Sequence, residues 1–117
     1  MKTNAIKDKS FAFAVRIVNL SRFLNEKKKE HVISRQILRS GTAVGALVRE
    51  AEQAESKSDF IHKLAIALKE ANETEYWLLL LRETAYLAPT EAESVMRDNK
   101  EILKLLTSII KATKRRA

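Results

Sequence analysis

The chain has no cysteine, one proline and two glycines among its 117 residues. Without cysteine it can form no disulfide framework, no thiolate nucleophile and no cysteine-ligated zinc site. This absence suits a reducing compartment, and we expect the protein to be cytoplasmic. Because proline and glycine most often interrupt regular structure, their scarcity predicts long helices. We expect no signal peptide and no membrane partner, since no apolar stretch is long and uninterrupted enough for either.

Positive charge is concentrated at the two ends of the chain. Hydrophobic residues make up 45% and charged residues 32%, which is typical of a globular protein, and the length predicts one domain, residues 1–117. The net charge is +7, of which residues 1–9 carry +2 and the tail, residues 111–117, carries +4, leaving +1 for residues 10–110. The terminal cations are Lys2, Lys7 and Lys9, and Lys111, Lys114, Arg115 and Arg116.

Apolar residues recur at intervals of three and four, which predicts four helices over about residues 4–26, 31–54, 57–87 and 91–114. Ser56 or Ser58 is the expected N-cap of the third helix. Thr90 and Glu93 form an expected capping box for the fourth helix, with Pro89 just outside it. Short connections predict an all-α, up-down-up-down four-helix bundle with antiparallel neighbours. Both termini and the connection between the second and third helices should then lie at one end.

The periodicity also predicts the core. The expected core residues are Ile6, Phe13, Ile17, Leu20 and Leu24 of helix one; Ile33, Ile37, Ser40, Val44, Leu47 and Ala51 of helix two; Phe60, Leu64, Leu68, Ala71 and Leu78 of helix three; and Val95, Ile102, Leu103, Leu106, Ile109 and Ile110 of helix four.

The two glycines, Gly41 and Gly45, lie on the flank of the core stripe of the second helix. Each costs the helix about 1 kcal/mol relative to alanine. A pair of small residues four positions apart lets another backbone approach closely. The approaching backbone could belong to the same bundle or to a second subunit, and the sequence leaves both possibilities open.

Two helices carry apolar residues on a second face. On helix one these are Phe11, Val15 and Val18, and on helix three they are Ile66, Trp77, Leu80 and Leu81. A bundle helix needs only one buried face, so a second apolar face predicts a homo-oligomer.

Glu70 and Glu73 lie beside this second face of helix three. Carboxylates that become buried need cationic or hydrogen-bonding partners. The available cations are Arg35, Arg39 and Arg49 of helix two and Lys63 and Lys69 of helix three. A structural ion-pair network is the main interpretation, with solvated charges or an acid/base or metal site as alternatives.

The segment "RQILRSGTAVGALVREAEQAESKSDFIHKLAIALKEANETEYWLLLL" strongly resembles the four-helix-bundle family of 23S rRNA intervening-sequence proteins. The resemblance covers about residues 8–110. The positions that carry it are Gln36, Arg39, Ser40, Gly45 and Glu50 on helix two, and Phe60, Lys63, Leu64, Ala67, Lys69, Glu70, Glu73, Thr74, Tyr76, Trp77 and Leu78 on helix three.

This resemblance implies a small helical protein that assembles as a ring-like homo-oligomer, with a pentamer expected, and it implies no known reaction. Related bundles serve as accessory proteins of diversity-generating retroelements, where a basic ring is thought to bind nucleic acid and the reverse transcriptase. One departure is Leu47, where relatives often carry asparagine. The periodicity places Leu47 in the core, so the loss of that amide looks structurally harmless.

The sequence favours two functions and disfavours a third. A nucleic-acid-associated (RNA or DNA) oligomer would use the basic ends, with the seven terminal cations named above as contact candidates. A protein–protein accessory or scaffold module is the alternative. An enzyme is disfavoured: no catalytic motif, cofactor site or metal site is apparent, and no small-molecule substrate is indicated. His62 forms only one weak Asp59-x-x-His62 pair, without the second pair that a bundle metal site needs.

The oligomer-interface candidates are Phe11, Val15, Val18, Gly41, Gly45, Ile66, Glu70, Glu73, Trp77 and Leu81.

Overall fold

A computed structural model describes the backbone of residues 2–116 and the side chains of residues 5–116. Over that range the chain forms four helices and no strand: α1 (Lys2–Lys27), α2 (Ile33–Glu52), α3 (Lys57–Glu83) and α4 (Pro89–Arg115). α1 packs on α2, α2 on α3 and α3 on α4, while α4 meets α1 along a narrower seam. The result is an elongated four-helix bundle of 50 × 21 × 19 Å.

Contacts near the termini confirm the predicted antiparallel arrangement. The ammonium group of Lys7 in α1 lies 3.3 Å from the carboxylate of Glu52 at the end of α2. Lys57, at the start of α3, donates a hydrogen bond to the carbonyl of Arg116. The start of α1 and the end of α4 therefore both lie beside the α2–α3 connection. Side chains of residues 1–4 and 117 lie outside the described part.

On α1 and α4 the buried face is close to the predicted one. On α2 and α3 it lies further round the helix than predicted. All five predicted core residues of α1 are buried, but five predicted core residues of the other helices are only half-buried: Ile33, Leu47, Phe60, Leu68 and Leu103. The core instead contains small or polar residues, which a hydrophobic pattern does not mark, and apolar residues beside the predicted positions. These are Val48 on α2, Ala67, Thr74 and Leu81 on α3, and Asn99 on α4.

Several of the buried polar side chains bond across helix contacts. The hydroxyl groups of Ser40 and Thr74 lie 2.8 Å apart, which ties α2 to α3. The amide of Asn99 donates to the carbonyl of Ala71 at 2.9 Å, which ties α4 to α3. A buried polar group without a partner is costly, so these bonds restrict how the helices pair.

Both glycines face α1 of the same chain. An ideal Cβ on Gly41 would lie 2.8 Å from Cγ1 of Ile17, and one on Gly45 would lie 3.3 Å from the backbone carbonyl oxygen of Ser10. Gly41 is buried and Gly45 is half-buried. The close approach therefore occurs within the bundle, at the α1–α2 contact.

α2 begins at Ile33, two residues later than predicted, because Glu30 caps it from outside. Glu30 is buried, with 8% of its surface exposed. It accepts hydrogen bonds from the backbone N–H groups of Val32, Ile33 and Ser34 at 3.2, 3.0 and 2.7 Å. These are donors that have no partner within the helix. Lys29, with φ of 54°, turns the chain back so that this contact can form.

The α3–α4 connection differs from the prediction at both ends. α3 ends at Glu83 and not near Leu87, because Ala85 adopts a φ of 64° and the N–H groups of Tyr86 and Leu87 both bond to the carbonyl of Leu81. The prediction of a Thr90–Glu93 capping box is wrong. Ala88 is the N-cap of α4, and Pro89 occupies the first turn, where its missing N–H costs nothing.

The N-cap of α3 is Ser56, one of the two predicted residues. Its hydroxyl accepts from the N–H of Asp59 at 3.0 Å, while the Asp59 carboxylate accepts from the N–H of Glu55 at 3.3 Å. The Asp59 carboxylate, which the sequence offered as half of a weak metal-binding pair with His62, therefore serves to cap α3. Within the described residues, none of the helices combines the length and the apolar character needed to cross a membrane.

Candidate nucleic-acid interface

The outward side of α4 carries a row of cations, which we call the α4 basic face. It consists of Arg97, Lys100, Lys104, Lys111 and Arg115, all exposed. Their spacing of three, four, seven and four residues keeps them on one side of a helix. The buried residues of α4, among them Asn99 and Leu106, lie on the opposite side. The row from Lys100 to Arg115 extends over roughly 22 Å at the helical rise per residue.

Carboxylates near this face are engaged by cations from other helices. Asp98 accepts from Arg16 of α1 at 2.6 Å, and Glu101 lies 3.7 Å from the ammonium of Lys9. Within residues 5–116, no carboxylate lies within 4.0 Å of a cation of the α4 basic face. The positive charge of this face therefore has no ion-pair partner in the part of the chain that the structure describes.

Only part of the predicted basic site is brought together. Lys111 and Arg115 lie on the α4 basic face, and Lys114 and Arg116 are exposed close to it. By contrast, Lys7 and Lys9 are engaged by Glu52 and Glu101. The side chain of Lys2 lies outside the described residues.

Sequence reasoning missed Arg97, Lys100 and Lys104 because it treated the basic residues as a tail. The cations at positions 100, 104, 111 and 115 follow a helical period. This helical spacing of charge, like that of the apolar residues, marks one face of the fourth helix in the sequence itself.

The second apolar face of α1 is exposed as predicted. Phe11, Val15 and Val18 are 57%, 48% and 38% exposed. The guanidinium of Arg49 lies 5.7 Å from the centre of the Phe11 ring, close enough for a cation–π contact. These side chains form an apolar stripe along the outside of α1.

The predicted second face of α3 is only partly present. Leu81 was assigned to it wrongly: the side chain is fully buried in the core of its own chain, on the same side as Ala67 and Thr74. Ile66 and Trp77 are half-buried. Because small and hydroxyl side chains belong to the core stripe of α3, that stripe lies further round the helix than the large apolar residues suggest.

Glu70 and Glu73 find a partner inside the chain. Arg39 of α2 donates to Glu70 at 3.0 Å and also to Glu73. The indole N–H of Trp77 donates to Glu73 at 2.9 Å. This hydrogen bond, together with the one from Arg39, lowers the pKa of Glu73, and the two carboxylates raise the pKa of Arg39. The main interpretation, an ion-pair network, thus describes contacts that form without a second subunit.

No metal-binding cluster is found where side chains are described. Groups of three or more histidine, aspartate or glutamate residues with suitable geometry are absent from residues 5–116. A cleft of about 460 Å³ between α1 and α4 is lined largely by apolar side chains, including Leu20, Phe23, Leu87 and Val95. Its charged neighbours are Arg16, Lys28 and Glu91, which do not form a paired acid and base.

Comparisons with known proteins agree with this architecture. A crystal structure of a protein of unknown function from the S23 ribosomal protein family of Bacteroides thetaiotaomicron is similar to this chain, with a TM-score of 0.94 and 64% sequence identity. The similarity covers 95% of this chain and 99% of the other. No curated protein matches significantly. The family described as 23S rRNA-intervening sequence protein matches residues 2–108. The chain therefore belongs to the 23S rRNA-intervening sequence protein family.

Proposed function

We propose that this protein is a non-enzymatic, oligomeric binding module that holds nucleic acid through the α4 basic face. The observation that carries the proposal is the row of five exposed cations without an ion-pair partner in the described part of the chain. Lysine and arginine rows of this kind attract phosphate chains, because binding releases condensed counterions from the nucleic acid. We further propose the cytoplasm as the compartment, where RNA and DNA are accessible.

Self-association would strengthen such binding. We propose that copies of the chain assemble as a ring-like homo-oligomer, a pentamer on the basis of the family resemblance, with the α1 apolar stripe as a contact surface. Phe11, Val15 and Val18 support this because they leave apolar area in water that a partner copy would cover. Several copies of the α4 basic face on one particle would bind a long nucleic acid multivalently.

The proposal is tested by fluorescence anisotropy with labelled RNA and DNA at two salt concentrations. The test variant is Lys100→Gln/Lys104→Gln/Lys111→Gln, which removes three charges from the α4 basic face. Its matched control is Lys27→Gln/Lys28→Gln/Lys29→Gln, which removes three exposed charges at the opposite end of the bundle.

We expect salt-sensitive binding by the unmodified protein. The α4 variant should lose at least about tenfold in affinity and reduce the salt slope by about two to three, whereas the control should retain binding. Equal losses in the two variants would contradict a specific role for the α4 basic face.

A protein–protein accessory or scaffold module is the second candidate, and the exposed stripe on α1 favours it. Phe11→Ser/Val15→Ser removes apolar area from that stripe. Under this alternative, the protein binds no nucleic acid at micromolar concentration. The substitutions in α1 then abolish capture of a protein partner while the isolated chain remains folded.

A further inference from the structure

The chemistry of the α4 basic face also bears on which form of nucleic acid it accepts. This step rests on the function proposed above. We infer that the face binds double-stranded nucleic acid along the phosphate backbone, in preference to single strands.

The face offers charge without a stacking surface. α4 contains no phenylalanine, tyrosine, tryptophan or histidine along its whole length. The side chains between the cations include Leu103, Thr107, Ser108 and Ala112. Proteins that hold single strands combine a basic groove with aromatic side chains on which bases stack. Since no ring is available on this face, a single strand would gain only its phosphate contacts.

Phosphate contacts alone favour a duplex. Duplex DNA carries about one negative charge per 1.7 Å of its axis, twice the axial density of one strand, and releases more counterions for each charge neutralised. The cations lie on one helix, α4, whose side chains Asn99, Ile102 and Leu106 are buried in the core and hold the helix in place. A flexible single strand must lose conformational freedom to lie along such a row, whereas a duplex is already stiff.

The face also has few groups that could read bases. The Thr107 hydroxyl is engaged by the carbonyl of Leu103 at 2.8 Å, and the amide of Asn99 points into the core. Lysine is mainly a point-charge partner of phosphate, and α4 has no exposed asparagine or glutamine to read adenine, so Arg97 and Arg115 are the main groups of the face that could contact base edges. Binding should therefore follow the backbone and depend little on base sequence.

The test compares one 20-nucleotide sequence in four forms, using the full-length protein: single-stranded RNA, single-stranded DNA, duplex RNA and duplex DNA. We expect at least one duplex to bind about tenfold or more tightly than either of its single strands, with a steeper dependence on salt. Whichever duplex binds more tightly identifies the source of the phosphate backbone, and scrambling its sequence should change the affinity less than threefold.

A second variant separates stacking from charge. Ser108→Tyr places one aromatic ring among the cations of the face. It should raise single-strand affinity by about fivefold or more while duplex affinity stays unchanged. Single strands binding as tightly as duplexes to the unmodified protein would overturn the inference and leave the proposed function intact. Failure of all four nucleic acids to bind would overturn the proposed function itself.

Discussion

The α1–α2 contact and the α4 basic face show two opposite ways in which this sequence is used. At the α1–α2 contact the chain touches itself: Gly41 lies against Ile17, and Gly45 lies under the backbone of Ser10. On the α4 basic face, cations such as Lys104 and Lys111 touch no carboxylate among the described residues. Residue identity in the first region follows from packing, so substitution there should cost stability. In the second region packing demands nothing, so substitution should affect only what binds from outside.

The largest effect is expected where packing is tightest. Alanine at position 41 or 45 brings the same gain in helix propensity, about 1 kcal/mol. A Cβ at Gly41 would lie 2.8 and 2.9 Å from two carbons of the branched, buried Ile17 side chain, so something must move. We expect Gly41→Ala to lower the free energy of unfolding by roughly 1–3 kcal/mol, as overpacking does. Urea denaturation measures this change.

Gly45→Ala is the matched comparison. Its Cβ would meet the Ser10 carbonyl oxygen at 3.3 Å, a tight contact that a small shift of α1 can relieve. Its free energy of unfolding should therefore change by less than about 1 kcal/mol, with the propensity gain offsetting the contact. If Gly41→Ala proves as stable as Gly45→Ala, the packing of Gly41 against Ile17 is not tight enough to exclude a methyl group.

The Glu30 cap is the next strongest test of the same region. Glu30→Ala removes the acceptor of three backbone N–H groups at the start of α2. We expect a loss of about 1–2 kcal/mol in the free energy of unfolding, the usual effect of removing a helix N-terminal cap. The exposed Glu26 supplies the control, since Glu26→Ala removes a nearby carboxylate, in the last turn of α1, without a capping contact. Similar losses in both variants would argue against the cap.

The sequence predicts the bundle well because large apolar side chains on α1 and α4 mark one buried stripe each. It predicts α3 less well, since Ala67 and Thr74 contribute to the core through small size and a hydroxyl pair rather than through hydrophobicity. The ends of the helices are the hardest feature to predict from the sequence. The Glu30 cap, for example, depends on Lys29 adopting a left-handed backbone conformation, which a local sequence pattern does not show.

The candidate site was predicted in part, for a similar reason. Lys111 and Arg115 stand out in the sequence as part of a charged tail, but whether a lysine is paired depends on which helix packs beside it. Lys9 meets Glu101 only because α1 runs antiparallel to α4. That contact removes Lys9 from the uncompensated charges and engages Glu101 next to the α4 basic face. Sequence position alone could not distinguish the two kinds of lysine.

A smaller effect is expected at Glu73, where packing and exposed charge meet. The pKa of Glu73 is lowered from an ordinary value of 4.5 in the folded state, first by the Trp77 indole N–H and then by Arg39. A lowered folded-state pKa means that the contribution to stability is present above the ordinary value and is lost as pH falls through the folded-state pKa. Because the side chain is 35% exposed, this contribution should not exceed about 1 kcal/mol.

Trp77 is the one tryptophan of the chain, so its fluorescence reports on Glu73 directly. We expect a titration of the emission below pH 4.5 in the unmodified protein. The Glu73→Gln variant should lack that step and show a free energy of unfolding that varies less over the same range. An identical titration in both proteins would assign the signal to another carboxylate.

The smallest change in stability is expected on the α4 basic face itself. Lys100→Gln/Lys104→Gln/Lys111→Gln removes two repulsive i,i+4 pairs, Lys100 with Lys104 and Lys111 with Arg115, each worth about 0.2–0.5 kcal/mol. It also removes a cation near the C-terminus of α4, which favours the helix dipole by about 0.3–1 kcal/mol. The two effects oppose each other, so the free energy of unfolding should stay within about 0.5 kcal/mol of the unmodified protein.

Saturating duplex should raise the melting temperature of the unmodified protein and not that of the variant, because a ligand stabilises only the state that binds it. A stability loss above about 1 kcal/mol without duplex, beyond what removing surface charges normally causes, would show that these lysines serve the fold and would remove the contrast with the α1–α2 contact.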